Sequence, residues 1–119
     1  PDLTKIDWHK IQNSNEAAVC LFRIADSYAS PEEMKMWLML DGFVGIECMQ
    51  HQSGEYRKGW CLLRGGWAVK QKGLKYNNLL LVEILIMSPP PIGAYSGDIE
   101  IDYNEKNQVM STQFGYSSL

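Results

Sequence analysis

The sequence predicts an α+β fold in which two or three N-terminal helices pack on one face of a five- or six-stranded, mainly antiparallel, twisted sheet. Two observations predict this class. Apolar residues recur at three- and four-residue steps before Gly42, whereas after it short alternating runs are separated by glycine, asparagine and proline. The chain has 119 residues, 45% of them hydrophobic, so we expect one domain, residues 1–119, with its own core.

The first two helical segments are predicted from apolar spacing and from a capping pattern. Residues 7–12 place Trp8 and Ile11 on one face, which indicates a short helical turn. Asn13 is the expected N-cap of the next helix, because Glu16 follows three residues later and apolar residues then continue at helical spacing. We therefore expect this second helix to turn one apolar stripe toward the sheet.

The start of the third helix is the clearest local signal in the sequence. Ser30 provides a capping hydroxyl, Pro31 suits the first helical position, and Glu33 is placed to close the capping box. Asp41 and Gly42 are expected to end the helix, because glycine tolerates the positive φ of a C-terminal cap.

Extended runs bounded by turn-forming residues predict the strands of an antiparallel meander. Gly65-Gly66 is interpreted as a two-residue hairpin connection and Asn77-Asn78 as a turn. Residues 104–107 are interpreted as the turn of a C-terminal hairpin. The predicted strands are residues 43–49, 55–63, 67–71, 79–87, 98–103 and 108–114.

The long apolar run at residues 79–87 carries one charge, Glu83, in its middle. The run is far shorter than the roughly 20 residues of a membrane helix, and three prolines follow it closely. It is interpreted as a central strand, with Glu83 on the second face. The residues predicted to face the core are Leu80, Val82, Ile84 and Ile86.

A carboxylate among leucines has a small number of stable environments. Glu83 either lies solvated on an open sheet face, or pairs with a base such as Lys70 from an adjacent strand. The alternative is that the helices and a curved sheet enclose a cavity. In that case Glu83 would act as a general acid or base near Tyr95, Trp67 or His51.

The charge distribution favours protein partners over nucleic acid. The formal net charge is −3, and the 11 lysines and arginines are scattered, so no basic stripe is available to neutralise a run of phosphates. We expect neither nucleic-acid nor membrane binding. A mild negative charge suits a basic protein partner.

The cysteines and histidines predict no cofactor, metal or thiol chemistry. Cys20, Cys48 and Cys61 are odd in number and contain no C-x-x-C pair, so reduced thiols are expected. His9 and His51 lie in separate segments, and in a strand Cys48 and His51 point to opposite faces. Reduced thiols, and no secretory signal in these residues, give the expectation of a cytoplasmic protein.

The most concentrated charge pattern lies in the predicted C-terminal hairpin. Asp98, Glu100 and Asp102 alternate along one arm and share a face, and Glu105 in the turn extends this acidic strip. Such a pattern is typical of a solvated strand face. It also complements a basic cleft on a partner protein.

These patterns favour a small protein-binding domain, and an immunity or inhibitor-type protein that blocks a basic partner is the specific form that we expect. The acidic hairpin would provide the contact surface. Trp60 and Trp67 have two alternative roles. They either form an exposed aromatic platform beside the acidic hairpin or pack in the core, and the large size of the indole favours the core. The alternative functions are a cavity-forming enzyme or ligand binder that uses Glu83, and a structural subunit that self-associates.

Overall fold

The helices of this protein pack on one face of an antiparallel sheet, which confirms the predicted α+β class. The computed structural model describes residues 4–49, 61–69, 75–87 and 95–115. In these residues the sheet has four strands in the order β1-β2-β3-β4. The elements are a 3-10 helix Trp8–Lys10, α1 Ser14–Ser27, α2 Pro31–Asp41, β1 Val44–Met49, β2 Leu62–Val69, α3 Asn78–Met87, β3 Tyr95–Tyr103 and β4 Val109–Gly115.

The predicted caps of the first two α-helices are confirmed. The Asn13 side chain accepts a hydrogen bond from the Glu16 amide at 2.8 Å, at the start of α1. At the start of α2, the Ser30 hydroxyl accepts one from the Glu33 amide at 3.4 Å. Gly42 ends α2 with φ 110°, a left-handed conformation that glycine adopts without strain.

The prediction of a strand at residues 79–87 is wrong, because these residues form α3. The Asn77 side chain accepts a hydrogen bond from the Leu79 amide at 2.8 Å and caps the helix. The burial of the side chains described in residues 79–84 follows helical spacing: Leu79 and Val82 are exposed, whereas Leu80, Leu81 and Ile84 are buried. The expected alternation is absent, and Val82 does not face the core. Aliphatic residues fill helices and strands alike, so composition could not distinguish them.

Gly65 and Gly66 do not form a turn, so the prediction of a two-residue hairpin connection at these positions is wrong. Both lie inside β2, where they pair with Ile99 and Asp98 of β3. A Cβ on Gly65 would lie 2.8 Å from Cγ1 of Ile46, so the missing side chain gives space for β1 to pack. Of the predicted strand at 55–63, residues 55–60 lie outside the described residues, as do residues 70 and 71 of the strand predicted at 67–71.

The predicted C-terminal hairpin is confirmed as β3 and β4. The Asn104 side chain accepts hydrogen bonds from the amides of Lys106 and Gln108 at 2.8 and 3.0 Å and so holds the turn. Ile99 and Ile101 are fully buried, whereas the alternating acidic residues Asp98, Glu100 and Asp102 are half-buried. The expected separation of apolar and acidic faces is therefore present.

Aromatic side chains form the centre of the core between helices and sheet. Trp8 packs on Phe43, Tyr76 and Phe114, with ring centroids 5.0 to 6.1 Å apart. Trp67 stacks on Phe114 at 5.2 Å. These contacts attach the short N-terminal segment to the sheet, because Trp8 is 3% exposed although it lies outside the α-helices.

Cys48 and Cys61 form a disulfide with a Cα–Cα distance of 5.2 Å, so the prediction of reduced thiols is wrong for this pair. Cys48 lies in β1 opposite Leu63, and Cys61 immediately precedes β2. The antiparallel pairing of β1 and β2 brings together two cysteines that are 13 residues apart in sequence. Among the described residues, Cys20 is the free cysteine.

Candidate interaction face

The acidic residues of β3 lie on the sheet face opposite the buried core. Strand register aligns one row of side chains across all four strands on this face: Glu47, Arg64, Glu100 and Gln113. Directly paired residues in an antiparallel sheet point to the same side. Asp98 and Asp102, two positions on either side of Glu100 in β3, share its face. We call the set Glu47, Arg64, Asp98, Glu100 and Asp102 the acidic sheet face.

Arg64 lies within this face and pairs with two of its carboxylates. Its guanidinium lies 3.3 Å from Asp98 and 3.4 Å from Glu100, and each of these side chains is between 33% and 38% exposed. Ion pairs this open to solvent contribute little to stability. They do hold the two carboxylates in place. Among the described residues, this one guanidinium lies between two carboxylates of the face, those of Asp98 and Glu100.

The other residues predicted for partner binding lie elsewhere. Glu105 is exposed in the hairpin turn, beyond the ends of the strands and next to Lys106. Trp67 is 3% exposed, and its indole donates a hydrogen bond to the Gly115 carbonyl at 3.3 Å. The indole therefore offers no surface to a partner in this conformation, and the set defined above does not include it. Trp60 lies outside the described residues.

Glu83 lies on α3 and not on a strand, and within the described residues its carboxylate binds Ser14 and no basic side chain. Its carboxylate accepts hydrogen bonds from the Ser14 amide at 2.9 Å and the Ser14 hydroxyl at 2.6 Å. Ser14 is the first residue of α1, so a side chain of α3 caps the beginning of another helix. The positive end of a helix dipole and an uncompensated amide both favour a carboxylate at this position.

Of the residues named in the cavity hypothesis, the structure describes the side chains of Glu83 and Trp67. His51 lies outside the described residues, and of Tyr95 the structure gives the backbone, which pairs with Val69. Trp67 lies in the core. Two open clefts flank α1, of about 400 and 160 Å³, and Glu83 lines neither. The larger is lined by Ile11, Asn13, Asn15, Glu16, Val19 and Cys20.

Three residues of the acidic sheet face and of the Glu83 cap were not identified from the sequence. Arg64 and Glu47 join the acidic sheet face only through strand register, which no sequence pattern specifies. Arg64 does alternate with buried Leu63 and Gly65, and this period of two would have marked it as a residue of the open face. Ser14 meets Glu83 across 69 residues of chain, and no local signal indicates that contact.

Burial shifts the pKa values of two tyrosines that belong to the core. Burial, together with the negative charge of Asp41, raises the pKa of Tyr76 above its ordinary value. Burial also raises the pKa of Tyr103, with a smaller contribution from Glu32. Within the described ranges, the Tyr103 hydroxyl has no hydrogen-bond partner. Both phenols are therefore held un-ionised.

Comparisons with other proteins identify no relative. Among residues 4–49, 61–69, 75–87 and 95–115, no three histidine, cysteine or acidic side chains are grouped to hold a metal ion. In the same ranges, no helix has the length and apolar character needed to cross a bilayer. No protein-family model, curated protein or solved structure matches this chain.

Proposed function

We propose that this domain binds a protein with a basic surface, through the acidic sheet face. The observation that carries the proposal is the alignment of carboxylates on the sheet face that the three described α-helices leave uncovered. A sheet presents its side chains in fixed register, so it offers a partner a preorganised pattern of charge. Inhibitors and immunity-type proteins that block a basic cleft use charge in this way, and we propose that role for the domain.

The charge pattern supports recognition of a cationic partner more than catalysis. Arg64 holds Asp98 and Glu100 in defined positions, so less side-chain freedom is lost when a partner binds them. Like-signed charges on one face also raise the rate of encounter with an oppositely charged surface. A partner would present lysine or arginine side chains at the spacing of neighbouring strands.

Removal of two charges from the face tests this proposal. Partners are captured by cross-linking to the immobilised domain and identified, and the association rate of each is then measured against Asp98→Asn/Glu100→Gln. We expect that variant to associate roughly tenfold more slowly at low ionic strength and to depend less on salt. The matched control is Asp26→Asn/Glu32→Gln, which removes the same charge from exposed positions on α1 and α2.

The two variants distinguish a specific face from net charge. If both slow association equally, the overall charge of the protein governs binding and the acidic sheet face has no special role. If neither changes the rate, the proposal is wrong. Melting temperatures of both variants confirm that the fold is intact, because loss of the Arg64 pairs has a small expected cost.

The cytoplasmic location expected from the sequence stays a prediction, and the disulfide weighs against it. Glutathione and thioredoxin keep cytosolic thiols reduced, so stable disulfides form mainly in secreted and periplasmic proteins. Cys48–Cys61 is therefore a reason to propose an oxidising compartment for the domain and its partner. Mass spectrometry of the protein from its natural source, alkylated before lysis, would give the redox state directly.

A further inference from the structure

Strand β1 is weakly attached to the rest of the molecule. Among the described strands it lies at the edge of the sheet and pairs with β2, and a bulge interrupts that pairing between Val44 and Glu47. Gly45 at the bulge has φ 62°. Of the strand's side chains, that of Ile46 is buried, and the others are exposed or half-buried. Apolar burial therefore stabilises β1 much less than it stabilises β3.

The disulfide connects this strand to a firmly held residue. Cys48 is exposed in β1, whereas Cys61 is 8% exposed and belongs to the core. The Cys61 carbonyl accepts a hydrogen bond from the Tyr103 amide of β3 at 2.9 Å. The covalent bond thus links a strand with few contacts to a point held by both the core and the central sheet.

We propose that the Cys48–Cys61 disulfide is a redox-sensitive clamp on β1: oxidised, it holds the strand to the sheet, and reduced, it lets the strand detach while the other elements stay folded. Because Cys48 is an exposed residue of β1, a thiolate can approach the bond from this side. A dithiol reductant attacks, forms a mixed disulfide and leaves as its own disulfide. It supplies the two electrons and two protons that convert the cystine into two thiols.

The expected size of the effect follows from the length of chain that the disulfide closes. The cysteines are 13 residues apart, and closing a loop near that length disfavours the open state by about 100-fold in the chain-entropy description. Reduction removes this restriction. The Ile46 packing, the hydrogen bonds to β2 and the contacts with α2 then hold the strand.

Hydrogen exchange of the full chain tests the proposal, with and without dithiothreitol. A Cys20→Ser background removes the free thiol and prevents disulfide exchange. We expect amide protection in β1 to fall by about 100-fold on reduction. Protection in α1, β3 and β4 is expected to stay within about threefold, because those elements do not need β1 for their core contacts.

A second variant separates the disulfide from the reductant. Cys48→Ser/Cys61→Ser in the same background should show the fast exchange of β1 without reductant, and dithiothreitol should then change nothing. Equal protection of β1 in both redox states would overturn the proposal. So would a uniform loss of protection in every element, because the disulfide would then stabilise the whole fold and not one strand. Iodoacetamide labelling of Cys48 and Cys61 before reduction would also contradict it.

Discussion

Gly97 shows how one absent side chain organises the centre of this protein. It pairs with Trp67 across β2 and β3, and the indole lies over it. A Cβ at this position would lie 1.6 Å from the Gly115 carbonyl oxygen and 2.8 Å from Nε1 of Trp67. Neither neighbour moves easily, because Trp67 stacks on Phe114 and Gly115 belongs to β4. The residue is glycine because the Gly115 backbone and the Trp67 indole occupy the volume that a side chain would need.

Gly97→Ala is therefore expected to destabilise the fold by about 2–4 kcal/mol, measured by urea denaturation. The matched control is Gly66→Ala, one residue from Trp67 in β2. A Cβ there would meet its nearest neighbour at 3.7 Å, which is ordinary van der Waals contact. We expect that control to change stability by less than about 1 kcal/mol. Equal losses in the two variants would contradict the packing argument.

At the scale of elements, the contact between α3 and α1 explains the charge in the apolar run. Glu83 caps α1 through Ser14, and the exposed neighbours Leu79 and Val82 lie on the outer side of the same helix. The sequence indicated that Glu83 was exceptional, and this is correct. It did not indicate the partner, because a helix cap supplied by another helix leaves no local pattern.

Glu83→Gln is expected to destabilise the protein by about 1–2 kcal/mol, because α1 loses a charged acceptor at its N-terminus. Glu105→Gln in the exposed turn is the control and should have an effect within about 0.5 kcal/mol. A double-mutant cycle with Ser14→Ala should give a coupling energy of at least about 0.5 kcal/mol. Additive effects in that cycle would show that the two residues do not interact.

The helices and strands also show which local sequence signals are sufficient to predict an element correctly. Both capped helices were predicted correctly, because Asn13-to-Glu16 and Ser30-to-Glu33 contacts depend on residues a few positions apart. The hairpin of β3 and β4 was predicted for the same reason. The prediction failed for residues 79–87, where an aliphatic run carries no periodicity, and for Gly65-Gly66, whose role depends on Ile46 from another strand.

For the whole molecule, the two buried tyrosines predict a loss of stability at high pH. Burial raises the folded-state pKa of Tyr76 and Tyr103 above the ordinary value of 10.0. The stability contributed by the un-ionised phenols is therefore fully present below about pH 10. It is lost as the pH rises above that value, because only the unfolded chain can then release these protons.

Denaturation midpoints between pH 8 and 11 measure this effect, with up to about 1.4 kcal/mol lost per pH unit for each tyrosine. Cys20→Ser is again the background, since thiols exchange disulfides at high pH. Tyr103→Phe should reduce the slope by about half. At neutral pH it should leave stability unchanged or raise it by about 1 kcal/mol, because the Tyr103 hydroxyl has no hydrogen-bond partner in the described residues. If Tyr103→Phe leaves the slope of stability against pH unchanged, Tyr103 does not cause the loss of stability at high pH.

Local patterns in the sequence correctly predicted the α+β class, two helix starts, the C-terminal hairpin and the alternation of its acidic residues. Each of these depends on contacts or periodicity within a few residues of chain. The folded chain was needed to show that residues 79–87 are a helix, that Glu83 caps α1 and that Cys48 bonds to Cys61. It also decided which charges join Glu100 in one row. Those outcomes depend on strand register and helix packing, which bring together residues far apart in the chain.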